Sequence, residues 1–129
     1  MPLVNRRALP ALALLLSLSL LPRAATAQQV RILVQSSPLA GFKYHQAPAL
    51  WRELRVGDAL QLEREPGNAY DGRAVRVQWR GRMLGYVPRA HNAAIAWAMD
   101  RGDTLSARVS RLQPQRSARK RIEFEVYVE

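Results

Sequence analysis

No cysteine occurs among the 129 residues, and histidine occurs only at His45 and His91. The first absence excludes disulfides, thiolate metal sites and cysteine nucleophiles. The second leaves no two histidines three or four positions apart, the spacing at which imidazoles share a metal ion. Lysine is scarce too: of 20 basic residues only Lys43 and Lys120 are not arginine. No glycine-rich loop runs into Lys-Ser or Lys-Thr, which a nucleotide-hydrolysing site needs to cradle phosphates. No G-x-S-x-G turn presents a serine nucleophile. What remains is a binding module rather than an enzyme, with no catalytic residues, cofactor or metal expected.

Long apolar runs are also missing, with one exception. Ala11 to Leu21 reads ALALLLSLSLL, preceded by Arg6-Arg7 and followed by Pro22-Arg23-Ala24-Ala25-Thr26-Ala27. As a helix this run would span about 16 Å, roughly half the hydrocarbon core of a bilayer. The basic start, the short apolar centre and the small-x-small Ala25-Thr26-Ala27 predict a signal peptide cleaved after Ala27, placing residues 28–129 in the periplasm or outside the cell without a stable membrane anchor. The arginine pair suits either a twin-arginine or a general secretory signal.

Removing Arg6, Arg7 and Arg23 leaves 17 basic residues against 10 acidic ones, a net charge of +7 on one small domain. That excess favours polyanionic partners such as nucleic acid, anionic lipid or acidic glycan. The arginine skew is equally a mark of genome composition.

Val30–Val34 predicts a first strand broken at Ser36-Ser37-Pro38, and Leu39–Tyr44 a second extended piece around Gly41. Pro48 suits the start of a helical turn. Ala59–Glu65 alternates with Leu60 and Leu62 inward, and Ala74–Trp79 with Met83–Val87 forms a hairpin. A helix from about Ala90 to Arg101 presents Ala94, Ile95, Ala98 and Met99 on one face and ends at Gly102. Two long alternating strands close the chain, separated by a loop holding Arg116, Arg119, Lys120 and Arg121. Trp51, Trp79 and Trp97 are expected to pack in or beside the core. The fold class is mostly β: a small antiparallel barrel or curved sheet of about six strands with one or two helices.

Three segments add something more specific. They are Ala40-Gly41-Phe42-Lys43-Tyr44, then Leu62-Glu63-Arg64-Glu65-Pro66-Gly67-Asn68-Ala69-Tyr70-Asp71-Gly72-Arg73-Ala74-Val75-Arg76-Val77, then Leu84-Gly85-Tyr86-Val87-Pro88-Arg89. Together, over roughly Leu39 to Val128, they resemble the HIRAN domain, a module fused to remodelling ATPases and helicases and also found as short bacterial proteins. The resemblance implies an OB-like barrel that binds the 3′ end of single-stranded DNA. It assigns nucleic-acid contacts to Lys43, Tyr44, Asn68, Tyr70, Asp71, Tyr86 and Arg89. Two positions depart from the family pattern: Arg73 stands where Asn is frequent before Ala-Val, and Ala69 where Pro is frequent.

The chemistry of such a site follows from its residue types. Tyrosine faces stack bases, at about 1–3 kcal/mol each. Lys43 and Arg89 neutralise phosphates. An ionised Asp71 accepts hydrogen bonds and repels phosphate, so beside a strand end it would favour a free 3′-hydroxyl over a 3′-phosphate. Asn68 and Asp71 are equally the residues of turns that bond their own backbone. Two functions stay open: a nucleic-acid-end binder, or an envelope module whose charge meets other anionic polymers or a protein partner.

Overall fold

The computed structural model describes residues 30–129; the expected signal segment lies outside them. Six strands carry the fold: β1 (Ile32–Pro38), β2 (Ala59–Arg64), β3 (Val75–Trp79), β4 (Arg82–Tyr86), β5 (Leu105–Leu112) and β6 (Ile122–Val128). Two helices, α1 (Ala47–Leu50) and α2 (Ala93–Asp100), and three single 3-10 turns fill the connections. The strands form one antiparallel sheet in the order β1-β6-β5-β2-β3-β4.

Alternation along the strands sets which face is covered. Ile122, Phe124 and Val126 of β6 and Val75, Val77 and Trp79 of β3 are buried, while the residues between them are half-exposed. With Leu50, Leu54, Leu84, Ile95 and Val109 they make a single core. Each such side chain contributes about 1.5–3 kcal/mol on leaving water. Between β3 and β4 the two-residue connection Arg80-Gly81 has positive φ at both residues (50° and 75°), the geometry whose twist matches a hairpin.

The expected barrel is not closed by a strand ladder. Just past the end of edge strand β1, Ala40 meets the other edge strand β4 at one corner, where it and Tyr86 exchange two backbone hydrogen bonds of 2.9 Å. For the first and last strands of the order to meet there, the sheet must curl around the core. Glycine makes the approach possible: a Cβ on Gly85 would sit 2.2 Å from the Ala40 carbonyl oxygen.

Other expectations need correction. Ser36, Ser37 and Pro38 do not break β1 but end it, since β1 is an edge strand and Pro38 lacks only a donor that an edge can spare. Leu39–Tyr44 is not a strand. Only Ala40 pairs, and Gly41, at φ 78°, turns the chain into a 3-10 turn at Phe42–Tyr44. The single expected helix divides at Asn92 into a 3-10 turn (Arg89–His91) and α2. Its inward face is Ile95, Ala96 and Ala98, whereas Ala94 is exposed. Trp79 is buried and Trp51 packs edge-on to Phe42 with ring centroids 5.9 Å apart. Trp97, expected to pack inward, is 63% exposed and instead carries the Arg101 guanidinium 4.0 Å above its ring.

Candidate functional site

The corner where the sheet edges meet borders a groove of about 800 Å³. One wall is Pro38–Tyr44, the second Pro88 and Arg89, and the third Ser117–Arg119 from the β5–β6 loop. Phe42 is buried and anchors its 3-10 turn, so that Lys43 and Tyr44 project outward, with Tyr44 84% exposed. Gly41 is required by the turn, since its φ is left-handed and a Cβ would come within 3.2 Å of the His45 ring. Three cations, Lys43, Arg89 and Arg119, line this groove.

A second cluster forms on the loop between β2 and β3. Asn68 Oδ1 accepts hydrogen bonds from the backbone N–H groups of Tyr70 (2.9 Å) and Asp71 (3.0 Å). Asp71 Oδ1 accepts from the Arg73 N–H at 2.9 Å, and its Oδ2 accepts from Asn92 Nδ2 at 2.7 Å. These bonds fix the loop as nested Asx turns. They leave the Tyr70 ring 89% exposed. The backbone N–H of Arg73, then the Asn92 amide and the charges of Arg89 and Arg73, hold the Asp71 carboxyl below its ordinary range, against an opposing effect of burial.

Tyr86 joins the two clusters. Its hydroxyl donates to Glu65 Oε1 at 2.6 Å, at the base of the second loop, and its ring meets the edge of His45, with centroids 5.6 Å apart, beside Tyr44. The Glu65 carboxylate, more than burial, pushes the Tyr86 phenol up. Arg89 follows three residues later, lining the groove while its charge acts on Asp71. The segment Tyr86–Arg89 thus runs between a basic groove flanked by Tyr44 and a loop presenting Tyr70.

Lys43, Tyr44 and Arg89 therefore line the groove, whereas Asn68, Tyr70, Asp71 and Tyr86 are not among its walls; Tyr86 is tied to it through the backbone of Ala40, and Asp71 through the charge of Arg89. Asn68 acts as a turn-former, and each Asp71 oxygen already has a donor. The sequence reading missed Asn92, which is 1% exposed and at the start of α2 turns its side chain to Asp71 rather than capping the helix. It also placed Arg119 only in a basic loop, whose charge run was the available cue. Among the described residues no three His, Asp or Glu side chains converge as a metal site.

No curated protein matches the sequence. A crystal structure of a protein from Lactobacillus plantarum is similar, with 30% identity and a TM-score of 0.66, over 77% of this chain and 95% of that one. The crystal structure of the HIRAN domain of human HLTF shares the fold, with 19% identity and a TM-score of 0.54, over 78% of this chain and 79% of that one. The HIRAN domain family model matches residues 32–129. With its sheet, its corner and its loop cluster accounted for, the chain belongs to the HIRAN domain family.

Proposed function

We propose that this domain is a non-enzymatic nucleic-acid-binding module that holds the 3′ end of single-stranded DNA. HIRAN domains are known as DNA-binding modules. The observation that carries the finer reading is the pair of exposed rings, Tyr44 on the groove and Tyr70 on the loop of Asp71, together with three cations lining the groove. Bases stack on the rings, and phosphates meet Lys43, Arg89 and Arg119. Asp71 supplies the end preference. Each of its oxygens is bonded once and retains a lone pair for a terminal hydroxyl, while its negative charge opposes a terminal phosphate.

Titration with matched oligonucleotides that differ only at the 3′ terminus tests this. The 3′-hydroxyl strand binds tighter than the 3′-phosphate strand by about tenfold, the scale of one exposed charge contact at low salt. Equal affinity for both ends refutes end recognition. The N-terminal segment supports action outside the cytoplasm, where extracellular or incoming DNA would be the ligand.

A further inference from the structure

A second cleft of about 300 Å³ adjoins the groove, lined by Pro38, Arg111, Gln113, Arg116, Lys120 and Glu123. Pro38 belongs to both walls. The 3-10 turn Ala118–Lys120 stands between them, and successive side chains on such a turn diverge by about 120°. Arg119 accordingly lines the groove and Lys120 the second cleft.

This loop is braced rather than merely solvated. The Arg121 guanidinium lies 5.1 Å from the Phe42 ring centroid and 5.7 Å from that of Trp51, and Nη2 donates to the Arg116 carbonyl at 3.3 Å. Gln113 donates its backbone N–H to the Arg121 carbonyl (2.8 Å) and its Nε2 to the Lys120 carbonyl (3.2 Å). Ala118 packs against the core. Arg116 and Lys120 remain exposed, and among the described residues neither forms an ion pair. The one carboxylate in the cleft, Glu123, faces Arg111 at 3.8 Å.

We infer that the second cleft carries the sugar-phosphate backbone of a single DNA strand onward from the groove. The strand's terminal nucleotide lies between Tyr44 and Tyr70, and its internal phosphates pass Arg119, cross Pro38 and reach Arg116 and Lys120. The inference rests on the reading of the groove as a strand-end site and extends its footprint inward along the same strand.

The experiment is anisotropy titration of the chain with 3′-hydroxyl oligothymidylates of about 4 to about 16 nucleotides, the range of site sizes for a single OB-like domain. A double variant, Arg116→Gln with Lys120→Gln, is measured beside the unaltered chain. The unaltered chain gains affinity with length and then reaches a plateau. The variant keeps the affinity for the shortest strand and loses about tenfold of the gain, with a log–log salt slope shallower by about 1.4 for two lost phosphate contacts. Equal affinity of variant and unaltered chain at every length overturns the extension and leaves the end site standing, as does an equal loss at every length. Failure of the unaltered chain to bind any strand overturns both. Both replaced side chains are exposed, and a matching thermal midpoint shows that the variant is folded.

Discussion

The Cβ that Gly85 lacks would lie 2.2 Å from the Ala40 carbonyl oxygen, where Ala40, just past the end of β1, pairs with β4 at the opposite edge of the sheet. The atom in the way is backbone and cannot swing aside. Gly85→Ala must push Ala40 off Tyr86, and overpacking of this kind costs about 1–3 kcal/mol. Denaturant unfolding measures that loss. Because the displaced segment carries Lys43 and Tyr44, DNA affinity falls with it, beyond the effect expected from the unfolded fraction.

Asn92 joins α2 to the Asp71 loop through a 2.7 Å bond made by an almost fully buried amide. Asn92→Leu removes that donor and leaves Asp71 Oδ2 without it, at a cost of about 1–3 kcal/mol. Asn92→Asp is worse, since it sets a second carboxylate against the first. Chemical denaturation at neutral pH ranks the three proteins: unaltered, Leu, Asp.

Tyr44 and Tyr70 are exposed at 84% and 89%, so removing either ring opens no cavity. Tyr44→Ala and Tyr70→Ala leave stability within about 0.5 kcal/mol. Each weakens single-strand binding by about 1–3 kcal/mol if a base stacks there. Thermal melting and anisotropy titration, run on the same samples, separate the two effects.

Asp71 also predicts a pH response. Its folded pKa lies below the ordinary value of 3.8, chiefly through the Arg73 N–H. A depressed carboxyl pKa stabilises the fold at every pH above the unfolded value, and that contribution is lost as pH falls from 3.8 through the folded pKa. The difference in thermal midpoint between the unaltered chain and Asp71→Asn is therefore constant near neutrality and shrinks below pH 3.8.

Processing can be read directly. Expressed in a bacterial host with a periplasm, the chain is expected to yield an exported protein beginning at Gln28, and intact-mass analysis of the periplasmic fraction checks this.

Alternation and turn chemistry were legible in the chain itself. The last two strands, the β3–β4 hairpin and the Gly102 helix end could be read from residue order because period-two burial and short turns are local properties. The three motif segments likewise carried the family without coordinates. Ala94 was misread because helical periodicity fixes a stripe but not its edges, and Trp97 because an apolar ring invites packing while its position falls on the outer side of α2. Pro38 was misread as a strand breaker because its place at a sheet edge is a fact about neighbours 85 residues away, such as Glu123. The groove belongs wholly to tertiary structure. Lys43, Arg89 and Arg119 come from three separate connections, and only the curl of the sheet, with Gly85 admitting Ala40 and Arg121 laid over Phe42, brings them around one groove.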